Sequence, residues 1–200
     1  MKERPVIDVS GLPAYAFGHR SMLFWGLLAM MALEGMFFVV LIAAYFYMRQ
    51  YFDQWPPSVP PPDITYGTIN TVVLLASVVP NIIYKRAAER EDLRKVRIWL
   101  VVAAVFAVAF IVIRALEFGS LNCSWDTNAY GSVVWTLLGA HTAHLITDFI
   151  DTVVLIALMF TSRISGRRFV DVSENALYWY FVVAAWIPIY VVIYFGPYLL

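Results

Sequence analysis

Four ionisable side chains, His141, His144, Asp148 and Asp151, lie in a stretch from Trp135 to Phe160 that is otherwise apolar enough to cross a bilayer. Spacings of three, four and three residues, at ~100° per residue, keep them within a sector of about 80° on one helical face. Imidazoles and carboxylates in this pattern can ligate a metal, relay protons, or hydrogen-bond one another and neighbouring helices. His141-x-x-His144 with Asp148 offers metal donors. However, carboxylate-bridged centres draw acids from several helices, and no Glu-x-x-His is present. A low dielectric favours His–Asp pairing, so the plainer reading is a hydrogen-bonded network without a metal. Ionisable groups at membrane depth cost about 2.5–3.5 kcal/mol each on insertion scales, so this seam must face protein or trapped water.

Glu34 is a second candidate, the only charge in the apolar run Ser21–Met48. Two readings stay open for it: a neutral acid bonded to a facing imidazole or hydroxyl, or a carboxylate that exchanges protons or borders a gas path. Glu34 and the seam share a mid-membrane depth, which predicts that Glu34 lies close to His141 or His144. Arg114 and Glu117, three apart, read as an ion pair near the outer surface. Alternatively, Arg114 clamps a phospholipid phosphate. No nucleotide-binding loop, Ser/His/Asp constellation or haem attachment motif is present.

These groups need helices to hold them. The chain has 200 residues, 62% hydrophobic and 14% charged, with a mean hydropathy of +0.73. That composition indicates an all-α polytopic membrane protein. Five spans are expected, at about 21–48, 66–84, 98–116, 132–160 and 176–194, forming one bundle behind an N-terminal tail of residues 1–20. The first 20 residues lack the apolar core of a signal peptide, so the first span itself serves for insertion. In span two, Thr68, Asn70, Thr71, Ala76 and Ser77 suggest a face packed on other helices, with a kink at Pro80. Pro188 is expected to break span five. The charged stretch from Lys85 to Arg97 reads as a helical extension with Glu91 and Lys95 paired at i, i+4. The segment Thr161–Asn175 reads as a polar connection, and Tyr51 and Trp55 suit an interfacial belt.

Twelve of the fourteen Lys and Arg residues fall before span one or in the second and fourth connections. The positive-inside rule therefore puts the N-terminus in the cytoplasm and, after five crossings, the C-terminus in the periplasm. Zero net charge points to no nucleic-acid partner, and Cys123 alone excludes an intrachain disulfide. No inverted repeat of the transporter kind is visible.

Five stretches together resemble subunit III of the haem–copper oxidases. ALEGMFFVVLIAAYFYMR is similar to the family's Glu-x-x-x-Phe…Ala-Tyr-x-Tyr-x-Arg helix, with Glu34, Phe38, Tyr45 and Arg49 in register. TINTVVLLAS looks like its Asn/Thr-Leu-Leu-x-Ser helix, and ALEF at Ala115–Phe118 like its Gln-x-x-Glu-Tyr/Trp ending. Tyr130, Gly131, Gly139, His141 and His144 match its Tyr-Gly…Gly-x-His-x-x-His helix, and YWYFVVAAW resembles Tyr-Trp-His-Phe-Val-Asp-x-x-Trp. The resemblance implies the five-helix bacterial form, a bundle with a V-shaped cleft that holds phospholipid, docked beside catalytic subunit I in the inner membrane. It implies that haem and copper reside in that partner, not in this chain. The implied roles are to stabilise the catalytic subunit, support proton uptake and line a route for oxygen, with Glu34 at the family's carbodiimide-reactive position. The departures are Tyr180 and Val183, where the motif has His and Asp, and the added Asp148 and Asp151. They suggest a polar cluster moved from span five to span four, and they leave open a nitric-oxide-reducing complex. From another class, a free-standing proton-coupled carrier also stays open.

Overall fold

A computed structural model describes residues 15–161 and 164–199. Lys2, Arg4 and Arg163, and most of the expected tail, lie outside the described residues. Every regular element among those described is helical: a short 3-10 turn, Gly18–Arg20, then α1 (Met22–Arg49), α2 (Ile64–Ala76), α3 (Val78–Glu89), α4 (Leu93–Gly119), α5 (Ala129–Met159), α6 (Gly166–Tyr194) and α7 (Gly196–Leu199). Five helical segments are long and apolar enough to cross a membrane, α2 and α3 together making the second and α6 running on through α7 to make the fifth.

Caps mark several starts. Ser21 accepts from the backbone N–H of Leu23, Asp63 from Thr65, Asp92 from Lys95 and Asn128 from Gly131, each filling one of the donors a helix N-terminus leaves open. Asp92 is also held below the usual carboxylate range by the Lys95 ammonium and backbone N–H. The chain reverses between α3 and α4 at Glu91, which has a φ of 55°. That reversal corrects the expected Glu91–Lys95 pair: Lys95 bonds Asp92 at 2.9 Å, and Glu91 accepts from the Tyr15 hydroxyl at 2.6 Å.

The second span divides at Ser77. Pro80, in the first turn of α3, has no N–H to return to Ala76. Ser77 spans the break, donating to Leu74 O at 2.6 Å and accepting from Trp179 Nε1 at 2.9 Å. Pro188, by contrast, lies inside an unbroken α6. The expected break is absent because neighbours hold the helix on both sides of the missing hydrogen bond: Trp186, Ile189 and Ile193 are fully buried. Nor is Gly166–Asn175 a loop. Phe169, Val172 and Ala176 recur at helical spacing and are buried, so α6 begins ten residues before the apolar span does.

The buried residues form two apolar clusters. The larger surrounds Trp186, Leu137, Phe110 and Tyr194; the smaller surrounds Tyr84, Leu100, Leu155 and Phe169. Trp55, expected at an interface, is instead buried edge-on against Tyr45 and Tyr130 at 5.4 and 5.2 Å. The small-residue face of α2 packs as the sequence suggests: Thr68 bonds Tyr190, Thr71 accepts from Trp186, and Asn70 is fully buried. Gly67 sits on this face against the Tyr194 ring, where an added Cβ would collide. Gly67→Ala should therefore cost about 1–3 kcal/mol through displacement of that ring. Gly139→Ala, which meets nothing within 4 Å, is the control, and thermal unfolding of the two variants checks the contrast.

Candidate functional site

The four-residue seam on α5 is divided by the packing. His141 and Asp148, two turns apart, are buried at 0% and 4% exposure. His144 faces Glu34 of α1, and Asp151 lies in the wall of a cleft between α1, α5 and α6 that Asp148 also borders. No His–Asp hydrogen bond forms among them. The expected pairing fails because each side chain finds a partner on another helix or on its own backbone.

His141 belongs to a buried network with Arg114 and Glu117. Its Nε2 lies 3.0 Å from the Val182 carbonyl oxygen, which only accepts, so Nε2 carries the proton. Nδ1 is then the acceptor facing Arg114 Nη2 at 3.4 Å. A doubly protonated ring would point an N–H at the guanidinium, so this geometry holds the neutral tautomer. Arg114 pairs with Glu117 at 3.0 Å, their side chains 1% and 0% exposed, and lies over the rings of Trp186 and Phe110 at 4.0 and 4.7 Å. Glu117 also accepts from Asn70 at 2.7 Å and from the Tyr194 hydroxyl at 2.5 Å. The ion pair read from the sequence is formed in the last turns of α4, with both side chains buried inside the bundle. That burial also removes the alternative in which Arg114 reaches a lipid phosphate.

The second network centres on Asn175 of α6. Its Nδ2 donates to Asp148 Oδ1 at 3.3 Å and Asp151 Oδ2 at 3.2 Å. Its Oδ1 accepts from Tyr84 at 3.1 Å and Thr152 at 3.4 Å. One carboxamide thus ties α3, α5 and α6 together with both its donors and its acceptor in use. Asn175 was missed in the sequence, where it fell in the stretch read as a connection.

Glu34 of α1 meets the remaining histidine. His144 Nδ1 donates to Ala140 O at 2.7 Å, leaving Nε2 free to face Glu34 Oε1 at 3.8 Å. That separation exceeds a hydrogen bond, yet one proton carried on either group makes the pair attractive. Glu34 Oε2 is buried without a hydrogen-bond partner among the described residues. Both groups pack beside Phe38, whose ring lies 5.0 Å from the His144 ring.

Glu34 also lines the cleft, a cavity of about 670 Å³. Leu23, Leu27, Met30, Val154 and Leu158 make its apolar walls, and Asp148, Asp151, Asp171, Glu174, Arg168 and Tyr178 its polar side. Arg168 reaches Asp171 at 3.4 Å. Among the described residues, no group of three or more His, Cys, Asp or Glu is arranged to hold a metal ion.

The family model for cytochrome c oxidase subunit III matches residues 10–198, nearly the whole chain. The chain belongs to the cytochrome c oxidase subunit III family. It is similar to cytochrome c oxidase subunit 3 of Thermostichus vulcanus, 27% identical over 184 residues that cover 90% of each chain. It is 32% identical over 176 residues to a probable cytochrome c oxidase subunit 3 of Mycobacterium tuberculosis, covering 85% of this chain and 86% of the relative. The corresponding protein of Corynebacterium diphtheriae is 27% identical over 186 residues. As a subunit III chain, it departs from the last-helix motif in a way the fold makes concrete. Val183 lies in the apolar core, and Asp148, on α5, is buried.

Proposed function

We propose that this chain is the accessory, non-catalytic subunit III of a haem–copper terminal oxidase in a bacterial plasma membrane. It stabilises the catalytic subunit I beside which it docks, and that subunit carries the haem and copper. The match over residues 10–198 carries this reading. The N-terminal tail, about residues 1–20, is cytoplasmic and the C-terminus periplasmic, an orientation supported by the basic residues of the second and fourth connections. Residues 21–200 act as one transmembrane domain.

The cleft between α1, α5 and α6 holds a phospholipid, its acyl chains along Leu23, Leu27 and Leu158 and its head toward Arg168 and Asp171. The support is the cavity's size and its division into apolar walls and a polar side. Glu34, paired with His144 at the cleft, is the carboxylate that borders the proton or oxygen path. His141, Asp148 and Asp151 serve as the internal polar network that keeps α5 in register with its neighbours.

Affinity purification in mild detergent tests the assignment. The expected result is recovery with the catalytic subunit and the spectrum of a haem–copper core that reduces oxygen. Recovery with a nitric-oxide-reducing core, or as an isolated protein that supports pH-driven flux, would overturn it. Neither alternative is favoured, since the relatives carry oxidase names.

A further inference from the structure

A second groove, of about 680 Å³, lies between the first turns of α4 and the end of α5, lined by Arg94, Arg97, Ile98, Val101, Val102 and Phe160. It shares no residue with the cleft around Glu34. Arg97 is fixed in place: its Nε donates to Met159 O at 2.7 Å, and its guanidinium lies over the Phe160 ring, 5.0 Å from the centroid. That bond uses one edge of the guanidinium and leaves the terminal nitrogens without a protein partner among the described residues. Arg94, three residues earlier and so on the same helical face, is exposed and has no carboxylate within ion-pair distance among the described residues. The acid nearest to it in the chain, Asp92, two residues before, is taken by Lys95 and by capping α4.

Below the two arginines the same face turns apolar, with Ile98 52% and Val101 40% exposed. Val101 and Val102 lie up to about 13 Å further along the helix axis than Leu93, at ~1.5 Å per residue. Two guanidiniums at the rim and an aliphatic floor running into the bilayer complement an amphiphile with a phosphate head. Guanidinium is the side chain best matched to phosphate, by paired N–H···O bonds. With no free carboxylate beside it, the groove offers nothing to an ammonium.

We propose that this groove binds an anionic phospholipid, its phosphate on Arg94 and Arg97 and an acyl chain along Ile98 and Val101. The site carries a net positive charge and so selects a head such as glycerol phosphate over choline phosphate. It is independent of the lipid assigned to the cleft around Glu34.

The test is native mass spectrometry of the affinity-purified complex in mild detergent, supplemented in turn with phosphatidylglycerol, phosphatidylcholine or inorganic phosphate. The wild-type complex should retain one more phosphatidylglycerol per chain than the R94Q/R97Q complex. Retention in the variant should weaken about tenfold or more. Phosphatidylcholine should not fill the difference, and excess inorganic phosphate should not displace the lipid. Should the double variant fail to assemble, R94Q alone, which breaks no side-chain hydrogen bond or ion pair among the described residues, should still weaken phosphatidylglycerol retention. Equal retention by wild type and variants, equal binding of phosphatidylcholine, displacement by free phosphate, or cross-links that place another subunit in the groove would each overturn the site.

Discussion

Replacing Glu117 with glutamine should cost the bundle about 3–5 kcal/mol, the penalty for leaving one partner of a buried ion pair alone. Arg114 is 1% exposed, and its Nε and Nη1 have no hydrogen-bond partner among the described residues beyond the ion pair itself. Glutamine keeps the shape but removes the charge, and its amide N–H groups must face either Asn70 and the guanidinium together or the Tyr194 hydroxyl. The expected reading is a fall in the thermal midpoint on the order of 10 °C, with loss of this subunit from the purified complex. Arg114→Met combined with Glu117→Leu should recover only part of the loss: it removes the stranded charge but leaves the buried Asn70 amide and Tyr194 hydroxyl without the acceptor that Glu117 supplies. A single variant as stable as wild type would show that the pair contributes nothing.

Asn175→Ala should be more damaging than the double change Asp148→Ala with Asp151→Ala, although it removes fewer groups. The single change leaves Asp148, Tyr84 and Thr152, all at 5% exposure or less, without the partner that Asn175 supplies. Each stranded buried group costs about 1–3 kcal/mol. The double change removes two acids together and leaves only the Asn175 amide short of acceptors, at the wall of the cleft. Both should loosen the bundle. Thermal unfolding and retention in the complex rank the three proteins, and an Asn175 variant milder than the double would refute a network centred on that carboxamide.

The parts legible in the sequence were those governed by local spacing. The five apolar spans follow from hydropathy and length, and Arg114 and Glu117, one turn apart, had to be neighbours on any helix. The hydroxylated face of α2 pointed to interhelical bonds, which Thr68, Asn70, Thr71 and Ser77 make. Partners contributed by distant helices were not legible. Nothing in the spacing of Glu117 names Asn70 or Tyr194, and nothing in His141 names Val182, because those meetings depend on how α2, α4, α5 and α6 cross. The seam misled in a further way. Four residues on one face look like one cluster, yet a rise of about 10 Å over seven residues separates His141 from Asp148 and lets different helices claim each. Asn175 was lost because Arg167, Arg168, Asp171 and Glu174 made its segment look solvated. The apolar residues Phe169, Val172 and Ala176 held the signal that it was a buried helix.

The main packing partners of α1 are α5 and α6, and only Met31, Phe38 and Tyr45, one heptad apart, are buried along its length. Those partners are synthesised more than a hundred residues after Glu34 in the case of α6, and nearly as late for His144. During translation α1 therefore leaves the ribosome carrying an acid whose imidazole companion does not yet exist. Until α5 arrives, that helix must wait in lipid or in the care of the insertion machinery.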